Sequence, residues 1–195
     1  MEGFIDTREV PTALVPLAEG AEEIEVTVVV DVLRRAGVDV TLAGLDGDRP
    51  VLCSRRLLIV PDVALARAGT DHSALILPGG AGGAKRLGAS PRIGELLRAF
   101  SLTNRLVGAI CAAPTALVQH GFFAGRKMTC HPSVRDIVWM HADMARTGPV
   151  EPVVEDRNLI TGSGPGASFR FALSIAARLV GVERARGVAP PLTLS

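Results

Sequence analysis

LVGAICAAPTALVQHG, residues 106–121, changes character at its sixth residue. Leu106 to Ile110 form an uncharged apolar run of the length of a buried strand, and the residues after Cys111 are suited to starting a helix. Pro114 suits the first helical position, where no N–H is needed, and Gly121 suits the end. Cys111 is therefore expected at a sharp strand-to-helix turn, lifted clear of the sheet, with small Ala112 and Ala113 leaving room for a substrate. The N–H groups of the first helical turn would lower its thiol pKa and favour the nucleophilic thiolate. A buried structural cysteine fits the same local pattern, and these sixteen residues leave both readings open.

The same grammar extends in both directions. TALVPLA at 12–18 and VDVTLAGL at 38–45 read as buried strands, and between them GAEEIEVTVVVDVLRRAG reads as a helix. Its acids lie in the first turn and Arg34 and Arg35 in the last, with Ile24, Val28 and Val32, and Leu33 beside them, as the expected apolar stripe. VLCSRRLLIVPD at 51–62 suggests a hairpin off the main sheet. SALILPGG at 73–80 is a strand that breaks into glycines, and SPRIGELLRAF is a helix with Ser90 as N-cap and Pro91 at its first position. KMTCHP at 127–132 is expected to be a strand, SVRDIVWM a short helix, VVEDRNLIT a hairpin, and ASFRFALSIAARLVG a helix closed by Gly181.

Apolar strands alternating with helices predict an α/β fold, a three-layer sandwich whose mainly parallel sheet carries helices on both faces. Residues 1–11 read as a short extension and 12–195 as a single domain. In such sheets ligands bind at the carboxyl ends of the strands near the reversal of strand order. Three segments break there: PLAEGAEE, ILPGGAGG and AICAAP.

With 48% hydrophobic residues, 21% charged residues and a formal net charge of +1, the chain is that of a globular protein without the basic surface of a nucleic-acid coat. Its apolar runs are too short to span a bilayer, and no secretory leader pattern is visible, so the expected compartment is the cytoplasm. Cys53, Cys111 and Cys130 lack the paired spacing of a disulfide framework or zinc site and fit a reducing environment.

Gly79 and Gly80, directly after a strand, can turn backbone N–H groups toward an oxyanion at the same sheet edge as Cys111. GAEEIE brings Glu22, Glu23 and Glu25 to that edge. Acids there commonly complement a helix dipole, but a carboxyl half-buried near the thiol would have a raised pKa and could shuttle protons. Rival motifs are weaker. GSGPGA at 162–167 matches a dinucleotide pattern but precedes the last long helix rather than the first. GGAGGAKR places Ala84 where a phosphate loop needs glycine before lysine. Cys130 and His131 with His120 or His141 match no common metal spacing. Cys111 with His131 suggests a cysteine hydrolase or amidotransferase, yet the flanking glycines of an amidotransferase elbow are Ala109 and Ala113 here.

Taken in order, GAEEIE, VLCSR, LPGG, AICAAPTAL, TCHP, GPG before a helix, and the closing APPLTL resemble the ThiJ/PfpI superfamily, its DJ-one branch in particular. The resemblance covers nearly everything from Thr12 onward. It implies a flavodoxin-like fold and a homodimer. It assigns the nucleophile to Cys111, the partner carboxyl to Glu25, backbone oxyanion donors to Gly79, Gly80 and Ala112, and a nearby histidine to His131. Cys53, with Arg55 beside it, matches a secondary oxidisable cysteine near the dimer interface. The implied activity is a glyoxalase or deglycase that needs neither cofactor nor metal and acts on methylglyoxal, glyoxal or their early adducts. A redox sensor or chaperone based on Cys111 oxidation is the alternative. The chain departs from the branch at Gly162-Ser163, where a serine and an anion-binding arginine are expected, at Val60, where another cysteine is expected, and at Cys130, an additional thiol.

Overall fold

The architecture follows from which apolar faces must be hidden. In a computed structural model that describes residues 10–194, the strands are β1 (Thr12–Leu17), β2 (Asp39–Gly44), β3 (Val51–Leu52), β4 (Leu58–Ile59), β5 (Val63–Ala64), β6 (Ala74–Leu77), β7 (Leu106–Ile110), β8 (Val153–Asp156) and β9 (Leu159–Gly162). The helices are α1 (Glu23–Arg35), α2 (Ala81–Ala89), α3 (Pro91–Leu102), α4 (Pro114–Gln119), α5 (Arg135–Trp139), α6 (Ser168–Val180) and α7 (Val182–Arg186). The short extension expected at the start lies, through residue 9, outside the described residues.

Seven strands form one sheet in the order β5-β2-β1-β6-β7-β9-β8, parallel except for the antiparallel β8–β9 hairpin. Strand side chains alternate between two cores, as period-two geometry requires. Val15, Ile76, Ile110 and Ile160 meet Val29 and Val32 of α1 and Phe171 and Ile175 of α6. Leu14, Leu75, Val107 and Leu159 meet Leu87 of α2, Leu97 and Phe100 of α3, and Leu117 of α4. Complete burial of a side chain such as Phe100 contributes about 2–3 kcal/mol. This is the three-layer sandwich expected from the strand and helix pattern, with the flavodoxin-like arrangement that the resemblance implies. Chain order reverses between β1 and β6, so the carboxyl ends of β1, β6 and β7 frame the site.

The expected hairpin off the main sheet is β3–β4, and Ser90 caps α3 by accepting the Ile93 N–H. Three expectations are corrected. Ile24 is exposed and Val28 only partly covered; the buried stripe of α1 is Val26, Val29, Val32 and Leu33, with Glu25 turned inward beside it. Valines surround this helix, so apolar spacing alone left its phase undecided. Residues 127–132 do not form a strand: the Thr129 N–H donates to the Thr161 hydroxyl at 2.9 Å and the His131 N–H to the Cys111 carbonyl at 2.8 Å, leaving no ladder to complete. Third, AGGAKRLGA, read only as a failed phosphate loop, is α2. Its glycines disfavour a helix by about 1 kcal/mol each, but an added Cβ at Gly83 would lie 2.8 Å from Ala21 Cα, so close packing against the first loop demands that glycine.

Candidate active site

Cys111 ends β7 with φ +64°, a left-handed conformation that costs a non-glycine residue about 1–2 kcal/mol. The turn is held from both sides. The Cys111 N–H donates to Gly162 at 2.8 Å, and the Cys111 carbonyl accepts the His131 N–H. The strain points the thiol toward the loop after β6 instead of into either layer of helices.

Glu25 reaches the same point from the first turn of α1, fully buried. Its Oε2 accepts the Gly79 N–H at 2.7 Å, while Oε1 has no hydrogen-bond partner of its own among the described residues. The Cys111 thiol is the polar group facing this carboxyl. Gly79 is required on steric grounds: an added Cβ would lie 2.6 Å from Cys111 Cβ and 2.7 Å from Glu25 Oε2. Its assignment as an oxyanion donor is therefore corrected, because its N–H is committed to Glu25. Gly80 and Ala112 direct their N–H groups at the sulfur, and neither is used in a backbone hydrogen bond elsewhere.

Burial raises both acidic groups. Desolvation lifts the Glu25 carboxyl from 4.5 to about 7, against the pull of the facing Cys111 thiol and the Gly79 hydrogen bond. The Cys111 thiol is pushed up to about 12 by desolvation first and the Glu25 charge second, with Gly80 and Ala112 opposing. This overturns the expectation that the helix start lowers the thiol pKa. Cys111 is only 8% exposed, α4 is only 6 residues long, and the facing carboxylate penalises a second charge. The pair gives up one proton near neutrality and keeps the other, which is the state a proton shuttle needs.

His131 stands at the rim. Its Nδ1 accepts the Ser133 N–H at 3.2 Å, which leaves Nε2 to carry the ring proton in the neutral form. An ideal Cβ on Gly164 would sit 3.4 Å from His131 Cδ2 and 4.0 Å from Cys111 Sγ, so a side chain here would contact both imidazole and thiol. The GPG motif thus opens an approach to sulfur. Glu22 and Glu23, the other acids of GAEEIE, share the Ser54 hydroxyl at 2.7 and 2.8 Å, and Glu23 also accepts the Arg55 N–H at 2.7 Å. They pin the β3–β4 hairpin to α1. Cys53 is buried at the foot of that hairpin, its thiol raised to about 11 by desolvation and then by Glu23 and Glu22. The Arg55 side chain is exposed. Neither reaches the Cys111 niche. Cys130 is completely buried in the core layer beneath α3 and α4, facing away from Cys111. No group of three His, Cys, Asp or Glu among the described residues is arranged to hold a metal ion, and no described helix is long and apolar enough to cross a membrane.

A nearly buried thiol and a buried carboxyl meeting at the switch point of a flavodoxin-like sheet define a cysteine-centred α/β site. Residues 11–178 match the model of the DJ-1/PfpI family, and the chain belongs to that family. It is 46% identical over 184 residues to the Parkinson disease protein 7 homolog of Danio rerio, covering 93% of this chain and 96% of that one. It is 43% identical over 178 residues to the glutathione-independent glyoxalase DJR-1.2 of Caenorhabditis elegans, covering 91% and 92%. The crystal structure of Drosophila melanogaster DJ-1beta superposes with a TM-score of 0.92 at 43% identity, covering 96% of this chain and all of that one.

Proposed function

We propose that the protein is a cysteine-dependent glyoxalase that converts methylglyoxal, glyoxal and their early thiol or amine adducts to hydroxy acids. The observation that carries this reading is the buried Glu25 carboxyl, held at about 7, facing a thiol flanked by two uncommitted N–H groups. Its relationship to the nematode glyoxalase supports the same chemistry. Cys111 Sγ adds to the aldehyde carbon of methylglyoxal as Glu25 takes the thiol proton. Gly80 and Ala112 stabilise the alkoxide, and Glu25 returns the proton to give a hemithioacetal. Glu25 then removes the hydrogen of that carbon as a proton and delivers one to the neighbouring carbonyl carbon. The aldehyde carbon is oxidised and the ketone carbon reduced within one molecule. Water hydrolyses the resulting lactoyl thioester to lactate and frees the thiol, so the steps balance without external oxidant or reductant. His131, at the rim, orients the entering carbonyl or the water. Lactate release from methylglyoxal is measured for wild type, Cys111→Ala and Glu25→Gln; equal turnover in all three sinks the mechanism.

The same niche supports oxidation as a second role, because a protonated Glu25 can donate to a Cys111 sulfinate oxygen. Mild peroxide followed by peptide mass then adds two oxygens selectively at Cys111, whereas equal oxidation of Cys53 and Cys130 counts against it. The exposed apolar side chains Ile24, Leu52, Leu57, Leu58 and Val60 on α1 and the hairpin support a homodimer through that face.

A further inference from the structure

Beside the thiol lies a cleft of about 680 Å³, a size that accepts drug-sized ligands and leaves most of its space empty around a three-carbon dicarbonyl. His131, Ser163 and Gly164 form its inner end, and Gly164 is the residue that adjoins Cys111 Sγ. Phe169 and Leu194 contribute apolar walls. Arg170, near the start of α6, completes the lining.

The charge of this cleft is unbalanced. Arg34, Arg86, Arg126 and Arg178 each pair with a carboxylate, Asp62, Glu19, Asp156 and Glu155 respectively. Arg170 has no carboxylate partner among the described residues, and no acidic side chain lines the cleft. The Ser163 hydroxyl, also without a side-chain partner there, adds a donor on the thiol side. A hemithioacetal seated with its reacting carbon at Cys111 would extend its thiol half past Gly164 toward this guanidinium; Sγ displaces that thiol, which leaves with the proton that Glu25 has taken from Cys111, and the dicarbonyl carbon is passed to Cys111 as the same hemithioacetal that free methylglyoxal gives. Guanidinium and carboxylate match in charge and geometry.

We propose that the cleft is a subsite for the carboxylate-bearing half of a dicarbonyl adduct, the hemithioacetal of an acidic thiol, and that Arg170 selects it. The proposal rests on the dicarbonyl reading of Cys111, so one readout is independent of turnover. Cys111 is labelled with 6-maleimidohexanoic acid or its neutral amide and followed by peptide mass. In wild type the acid reacts about tenfold faster than the amide, the effect of one charge-assisted contact. Arg170→Gln brings the two rates together, and Arg170→Lys retains most of the difference. In turnover, the methylglyoxal hemithioacetal of N-acetylcysteine is preferred in kcat/KM over that of N-acetylcysteinamide, through KM, and Arg170→Gln abolishes the preference. Equal labelling by acid and amide in wild type, or an acid preference that survives in Arg170→Gln, overturns the proposal. A labelling preference without any dicarbonyl turnover sinks the reaction instead and leaves the anion subsite standing.

Discussion

Glu25→Gln separates a carboxyl kept for chemistry from one kept for stability. The Glu25 carboxyl is buried and titrates at about 7 instead of 4.5 because it is desolvated. Its native pKa lies above the unfolded one, so the folded protein holds an extra proton between those values, and stability falls as pH rises through that window. At about 1.4 kcal/mol per pH unit, the penalty amounts to about 3 kcal/mol once the pH exceeds 7. Glutamine still accepts the Gly79 N–H and carries no charge, so it escapes the penalty. Urea unfolding at pH 8 is expected to show Glu25→Gln more stable than wild type by about 2–3 kcal/mol, the difference vanishing near pH 4. Lactate formation by the same variant falls by about 10²–10⁴, the usual worth of a positioned acid–base group. If wild type and variant share one stability profile from pH 4 to 8, the reasoning is refuted: folding would then leave the first proton of the pair in the ordinary carboxyl range.

Gly79→Ala places a methyl group against Cys111 Cβ and Glu25 Oε2; a loss of about 1–3 kcal/mol in urea unfolding and of most lactate production is expected, and unchanged activity would show that the niche can widen. Leu58→Asp puts a charge on the exposed hairpin face and converts the proposed dimer to monomer in analytical ultracentrifugation, with unchanged sedimentation placing the interface elsewhere. Arg126 donates to Asp156 at 2.7 Å and so ties the segment leading to His131 onto the β8–β9 hairpin. Arg126→Ala therefore costs about 2 kcal/mol in chemical denaturation.

Segments whose fate depends on their own residues were readable from the sequence. Ser90, Pro91 and the stripe through Phe100 specify α3 locally, and the β7–Cys111–Pro114 break specifies the turn that carries the thiol. Segments whose fate depends on distant partners were not. Gly83 of α2 makes sense only against Ala21, and Thr129 leaves a strand ladder because Thr161, far along the chain, offers its hydroxyl. On the residues alone Glu25 was one of three plausible acids; the family resemblance singled it out, and the phase of α1 with Ser54 shows why Glu22 and Glu23 turn elsewhere. Gly79 was assigned to the right place with the wrong role, since nothing local reveals that its N–H is already engaged. The signal for Arg170 was weak: an arginine in the first turn of α6, with its side chain directed to a cleft that only the folded chain creates.

These two kinds of contact divide the site into parts under different constraint. In the niche, Glu25, Gly79 and Cys111 are within van der Waals contact of one another, and two of the three meet through backbone geometry. Gly79 cannot gain a side chain without displacing Cys111 or Glu25, and Glu25 cannot lose its charge without losing the proton shuttle, so the chemistry at the sulfur is narrowly constrained. The cleft is built differently. Ser163, Arg170 and Leu194 touch the substrate side and are only partly covered or exposed, and none supports the core. A residue there can change charge for a surface-like cost within about 0.5 kcal/mol of stability while altering which molecule reaches the thiol. Selectivity among aldehyde adducts is therefore expected to lie in the cleft wall, and reactivity toward the aldehyde carbon in the niche. A variant that alters both at once is expected at Gly164 or His131, where the two parts join.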